Sequence, residues 1–256
     1  MISKNQIKHI AALHLKKNRE QERLFLVEGD KVVRELLNSN YTVSSLYALE
    51  EWSEKNTELL EKKNISATTI EEFELDKISA LTTPQKVVAV VEMSDGKINL
   101  GAHKGKLTLV LDEVKDPGNL GTIIRIADWF GIENIICSEN TVDVYNPKVV
   151  QATMGSLFRV NVFYEGITSI LKENQNALKL PVYAASMKGT SVYDASLSKE
   201  GLIILGNESE GVGQELLDYV DHALTIPSFA KGNHAESLNV AVATAIVCSE
   251  FRRRNK

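Results

Sequence analysis

Short apolar runs alternate along this chain with stretches in which apolar residues recur at every third or fourth position. The runs read as strands and the spaced stretches as helices. Ser3 to about Gln21 presents Ile7, Ile10, Ala11 and Leu15 at helical spacing. A strand at Leu24–Val27 follows, then a helix from near Asp30 that carries Val32, Val33, Leu36 and Leu37. Val43–Leu49 reads as a strand, Glu51–Lys63 as an exposed helix, Ser66–Ile70 as a short strand and Glu71–Ser79 as a helix. The run Lys86–Met93 closes this group and predicts a small α/β layer of its own.

Ser94–Lys106 has the glycine-rich, polar composition of a linker. The pattern then resumes with strands at Leu107–Leu111, Asn134–Cys137, Val160–Phe163, Val182–Ala185, Leu202–Leu205 and Ala223–Ile226. Continuous runs such as Leu202-Ile203-Ile204-Leu205 belong to a parallel sheet covered on both faces. A terminal helix from Ser237 to about Arg253 is apolar almost all round, which places it inside the fold or at a subunit interface. The predicted class is α/β, with a smaller domain over 1–95, a linker over 96–105 and a larger, mostly parallel-sheet domain over 106–256.

Composition narrows the field. The balance of apolar and charged residues is that of a soluble globular protein, no apolar run could span a bilayer, and the start lacks a signal-peptide core. Cys137 and Cys248 sit in apolar runs and read as reduced, buried thiols of a cytoplasmic protein. No Cys/His cluster has metal-ligand spacing, so no metal is expected. The formal charge of −5 argues mildly against nucleic acid, but its distribution is uneven. Residues 1–34 carry 8 Lys/Arg against 4 acids, residues 35–76 carry 10 acids against 3 lysines, and the end reads Arg252-Arg253-Arg254-Asn255-Lys256. Each run by itself is a solvated face. A phosphate contact becomes credible only with independent support.

Three polar loops follow buried strands, where an α/β sheet places a ligand. The first is Asp116-Pro117-Gly118-Asn119-Leu120-Gly121-Thr122-Ile123-Ile124-Arg125. Pro117-Gly118 supplies a turn, Asn119 is placed to cap a helix, and Asn119, Thr122 and Arg125 form a polar stripe. The second, Leu205-Gly206-Asn207-Glu208-Ser209-Glu210-Gly211-Val212, matches neither dinucleotide nor triphosphate fingerprints. The third joins Ile226-Pro227 to Glu236-Ser237-Leu238-Asn239-Val240, with Ser237 as the expected N-cap. No nucleophile elbow supports a serine hydrolase.

Taken in order, the three loops resemble the signature motifs of the SpoU (TrmH-like) family of RNA ribose 2′-O-methyltransferases, over Lys106 to Arg254. The stretches Lys17-Asn18-Arg19-Glu20 and Leu24-Phe25-Leu26-Val27-Glu28-Gly29 resemble the L30e-like RNA substrate-binding domain often fused ahead of it. The resemblance implies a SPOUT fold with a deep C-terminal trefoil knot, S-adenosylmethionine as cofactor, a homodimer, and RNA as substrate, ribosomal more readily than transfer RNA. Carried over by position, Gly206, Ile226 and Leu238 would line the cofactor pocket, and Asn119, Arg125, Glu208, Ser237 and Asn239 would surround the reacting ribose. The chain departs from the family at Asp116, where many members carry Asn, and in the longer stretch Ser228–Ala235.

Family accounts often make the motif-one arginine a general base. A neutral arginine at pH 7 lies roughly 5.5 units below its pKa, which costs about 7.5 kcal/mol. A charged Arg125 that grips phosphate and stabilises developing alkoxide charge is the cheaper role. Two rival readings are an RNA-binding protein that kept the fold but lost transfer activity, and a SPOUT base methyltransferase. Retention of Asn119, Arg125, Glu208 and Asn239 argues against the first. A nicotinamide dehydrogenase lacks its glycine fingerprint.

Overall fold

A computed structural model describes residues 2–94, 96–207, 209–232 and 236–254. The chain falls into two compact units, one of Met1–Asp95 with Asp143–Arg159, the other of Gly96–Val142 with Val160–Lys256. In chain order the first group of elements is α1 (Lys4–Ala12), α2 (Lys16–Glu22), β1 (Leu24–Glu28), α3 (Asp30–Leu37), β2 (Val43–Ala48), α4 (Glu50–Lys55), α5 (Thr57–Lys63), β3 (Ala67–Thr69), α6 (Glu72–Ile78) and β4 (Val87–Glu92). Next come β5 (Leu107–Leu111), α7 (Pro117–Trp129), β6 (Asn134–Cys137), α8 (Pro147–Thr153), β7 (Asn161–Tyr164) and α9 (Ile167–Glu173). The chain closes with β8 (Val182–Ser191), β9 (Gly201–Leu205), α10 (Gln214–Leu217), β10 (His222–Thr225) and α11 (Val240–Arg254).

The first unit has a sheet in the order β1-β4-β2-β3, with β4 antiparallel to both its neighbours. Ser3 and Gln6 form a reciprocal capping box at the start of α1. The single helix expected from Ser3 to Gln21 is two helices, because Leu13 is drawn into the core and Leu15 is extended. Arg19 is 1% exposed and bridges this break, donating to the carbonyls of Leu13 (3.0 Å) and His14 (2.8 Å) and to Asp143 Oδ2 (2.5 Å). A residue that adds to the basic tally of the N-terminus is thus a structural strut. Segment 143–159 is held here by more than Asp143. The Tyr145 ring packs at a tilt on Phe25 at 4.5 Å, Phe158 meets Tyr41 edge-on at 5.3 Å, and Arg159 pairs with Glu35 at 2.6 Å.

The second unit holds a six-stranded sheet in the order β10-β8-β9-β5-β6-β7, every pairing parallel. Every residue of β5 and β9 is buried, Thr108 included, which accounts for their nearly continuous apolar runs. β5 and β9 are neighbours, yet the chain leaves β5 towards β6 and β7 on one flank and leaves β9 towards β10 on the other. The crevice at their carboxyl ends is therefore the topological switch point, where open α/β sheets bind ligands.

Helices α7 and α11 pack side by side and run parallel. Asn239 bonds Asn119 at their first turns, and Arg252 donates to the carbonyls of Phe130 (2.7 Å) and Gly131 (2.8 Å) past the end of α7. Arg253 and Arg254, both exposed, share Glu250 as a partner, so part of the charge of the basic terminal run is met within the chain. Cys137 and Cys248 are buried free thiols, and burial pushes the Cys248 thiol up to about 12. Among the described residues no helix is long and apolar enough to cross a membrane.

Candidate active site

Loop one leaves β5 through two acids with different tasks. Asp112 is 9% exposed; its amide donates to the carbonyl of Leu205 and its Oδ2 accepts the Gly213 amide, each at 2.9 Å. Burial raises its carboxyl above the usual range and the negative charges of Glu215 and Glu113 add to this, against the pull of the Gly213 N–H. Glu113 has φ +54°, a left-handed conformation uncommon outside glycine. Its amide donates to Ser138 Oγ at 2.8 Å, and its carboxylate, held below the usual range first by Asn140 and then by Lys115, is anchored by both.

The helix cap is Asp116, whose Oδ1 accepts the Asn119 amide at 2.7 Å with Pro117 in the first helical position. This corrects the expectation that Asn119 caps α7, and the physical reason is spacing. The side chain that precedes the helix reaches back-to-front across its first turn, whereas Asn119 lies inside that turn. Its side-chain oxygen is therefore turned to a different partner, Asn239. Leu120, Ile123, Ile124 and Ala127 are buried, and Thr122 and Arg125 stand exposed on the same helix. Arg125 makes no hydrogen bond or ion pair among the described residues.

Loop two closes on itself. Asn207 and Gly211 exchange two backbone hydrogen bonds of 2.9 Å, and Gly211 takes φ +75°. A Cβ on Gly206 would lie 2.1 Å from the Gly211 carbonyl carbon, so the loop's own backbone forbids any side chain there. The Asn207 Oδ1 accepts the amides of Ser209 (2.8 Å) and Glu210 (3.4 Å), while its Nδ2 donates to the Glu113 carbonyl at 3.1 Å. Glu208 lies outside the described residues.

Loop three ends in α11, which begins at Val240 rather than Ser237. The cap is Asn239, whose Oδ1 accepts the amides of Ala241 (2.9 Å) and Val242 (3.3 Å). Ser237 is exposed, two residues before the cap, and bonds none of Asn119, Arg125 or Asn239 among the described residues. Ile226 is half-buried directly after β10, and Leu238 is exposed beside the cap. Of the stretch Ser228–Ala235, residues 233–235 lie outside the description.

Loop one is thus the hub, with Asn207 reaching it from loop two and Asn239 from loop three. Asp112, Glu113 and Asn207 are absent from the sequence-derived site. The available signal was the Asn-Glu-Ser-Glu-Gly turn itself, since asparagine folds its side chain onto amides two and three residues ahead. The loops bear carboxylates and, from 205 to 213, no lysine or arginine. The stretch 205–213 thus suits the cationic centre of a ligand, while Arg125 of loop one suits an anion. Among the described residues no three His, Cys, Asp or Glu side chains gather as a metal site.

The model of the SpoU rRNA methylase family matches residues 106–249, and that of the MRM3-like substrate binding domain matches residues 4–89. The chain is 32% identical to the 23S rRNA (guanosine(2553)-2′-O)-methyltransferase RlmP of Bacillus subtilis, over 98% of this chain and 97% of that protein. Among solved structures it resembles a TrmH-family protein from Porphyromonas gingivalis, with 38% identity, a TM-score of 0.87 and 99% of both chains covered. It also resembles an AdoMet-bound rRNA methyltransferase from Sinorhizobium meliloti, with 30% identity, a TM-score of 0.86, and 99% and 96% of the two chains covered.

Proposed function

The chain belongs to the SpoU rRNA methylase family, and from that premise we propose that it methylates a ribose 2′-hydroxyl of ribosomal RNA. The methyl donor is S-adenosylmethionine, as in the AdoMet-bound structures the chain resembles. When bound, it supplies an electrophilic methyl group on a sulfonium. The observation that carries the reading is the convergence of loops one, two and three on the switch point between β5 and β9.

In this reading Gly206, Ile226 and Leu238 line the cofactor pocket. Asn119, Arg125, Glu208, Ser237 and Asn239 surround the ribose. Bound there, the cofactor would supply the methyl group for the 2′-hydroxyl oxygen and depart as the neutral thioether, and the hydroxyl proton would pass to phosphate or water. Arg125, exposed and without a protein partner among the described residues, holds the neighbouring phosphate and the developing negative charge. The parallel α7 and α11 open their positive ends together at the site, which favours an anionic substrate. The trefoil knot belongs to the same reading. The return of the terminal segment to loop one, 120 residues earlier, supports it.

The protein acts as a cytoplasmic homodimer. Support comes from Trp129, 85% exposed at the end of α7, and Val242, 49% exposed on α11, apolar surface that a second copy would cover. Calorimetry with S-adenosylmethionine, with and without EDTA, should show binding insensitive to the chelator. Mapping of 2′-O-methyl positions in ribosomal RNA from a deletion strain should then show one lost site. No cofactor binding, or an unchanged methylation map, overturns the reading.

A further inference from the structure

We propose that Asn207 is a positioning residue that sets the loop 206–213 against loop one in the geometry the cofactor requires. The inference rests on the reading of this crevice as an S-adenosylmethionine site. It goes further by assigning a task to a residue outside the reacting groups.

Asn207 uses both ends of one amide. Its Oδ1 accepts the backbone amides of Ser209 and Glu210, which fixes the turn from within. An oxygen held by two N–H donors settles which way the amide points, so the group facing the Glu113 carbonyl is the NH₂. Glu113 is prepared to receive it. Its left-handed backbone is anchored through the amide at Ser138 and through the carboxylate at Asn140 and Lys115. A non-glycine residue persists at positive φ only where its surroundings over-determine it. Here they aim the Glu113 carbonyl at loop two.

The far end of loop two has a separate anchor in the Gly213 amide on Asp112. Loop two is therefore pinned to the end of β5 at its entrance by Asn207 and at its exit by Asp112. Just before the entrance pin, Gly206 lies where the Gly211–Val212 backbone leaves no room for a Cβ, and the paired backbone bonds of Asn207 and Gly211 close the turn, so the entrance pin bears on both its arms.

Asn207→Asp separates the two ends of the side chain. The aspartate keeps an acceptor for Ser209 and Glu210 but presents a second oxygen, in place of the donor, to the Glu113 carbonyl. Steady-state methylation of ribosomal RNA and thermal melting should show KM for S-adenosylmethionine rising roughly tenfold, as for one lost hydrogen bond. KM for RNA and the melting temperature should stay at wild-type values. Glu113→Val, whose branched side chain resists positive φ, should turn the carbonyl away and raise the same KM. The double variant should be no worse than the poorer single variant, because both remove one tie. An unchanged cofactor KM in Asn207→Asp, a matching fall in melting temperature, or additive losses in the double variant would overturn the inference. Failure of the wild-type chain to bind S-adenosylmethionine would instead overturn the reading on which it rests.

Discussion

Asn239 donates its side-chain NH₂ to the side-chain oxygen of Asn119 at 2.9 Å, and so joins the first turn of α11 to the first turn of α7. The same side chain caps α11 through its oxygen. Asn239→Asp keeps the cap and loses the donor. It should melt as the wild type does while turnover falls by about tenfold. Asn239→Ala loses both functions and should also melt roughly 2–4 °C lower, since a lost asparagine cap costs about 1 kcal/mol. Equal turnover in the two variants and the wild type would remove Asn239 from the site.

Arg125 lies on the exposed side of α7, one residue from the buried Ile124. Arg125→Ala should leave cofactor affinity and melting unchanged and lower turnover by roughly a hundred- to a thousandfold, as for one oxyanion-type donor. Arg125→Lys keeps the charge but not the planar fork. Activity in the lysine variant that climbs steeply with pH would favour a general-base role over phosphate holding.

Val242→Asp places a charge on the exposed apolar side of α11 without touching its buried side, formed by Val240, Ala241, Thr244, Val247, Cys248 and Phe251. Light scattering at micromolar concentration should show a dimer for the wild type and a monomer for the variant. A wild-type monomer would show that this surface pairs with nothing of its own kind.

The central strands of the second unit were readable because burial on both faces leaves little to alternate: β5, apart from Thr108, and β9 appear in the sequence as apolar runs. The helix starts were misjudged. Asp116 competes with Asn119, and Ser237 with Asn239, and in each pair both residues are good caps, so chemistry alone does not rank them. The charge tally failed differently. Arg19 and Asp143 are 124 residues apart, and no local pattern announces that one neutralises the other. Of the proposed ribose contacts, Asn119 and Asn239 meet at two paired helix starts, and Arg125 stands exposed about two turns further along α7.

Acid should act on the first unit through two glutamates of opposite sign. Glu74 is held below the usual range chiefly by the Glu71 amide and further by that of Ile2, at 3.0 and 2.8 Å. Its folded pKa is depressed, so its stabilisation is present above the ordinary glutamate pKa and is lost as pH falls through the folded value. Glu28 is pushed up by burial, despite bonds from Ser79 and the Ala80 amide, so its contribution is lost as pH rises. Melting curves should therefore show Glu74→Gln losing most at neutral pH and converging on the wild type in acid. Glu28→Gln should show the reverse trend. Differences that do not vary with pH would contradict both assignments.

Removing residues 1–95 should not yield a clean remainder. Segment 143–159 stays behind with buried Val149, Val150 and Leu157, and with Tyr145 and Asp143 deprived of Phe25 and Arg19. The truncated chain should bind a hydrophobic dye and melt well below the wild type. A truncated form that melts as sharply and as high as the whole chain would show that 143–159 needs no cover.

That interleaving also sets an order of events at the ribosome. The first unit draws on residues up to Arg159, which is 64 positions beyond Asp95, so its own N-terminal stretch is synthesised before its last piece exists. At roughly 5–20 residues per second the nascent chain waits several seconds for α8, with Arg19 lacking its counter-charge and β1 lacking the helix that packs on it. Meanwhile β5, α7 and β6 have already been made. The first unit of this enzyme is therefore complete only after a third of the second has been made, and exchanging it for that of a relative would require moving two separate pieces of chain together.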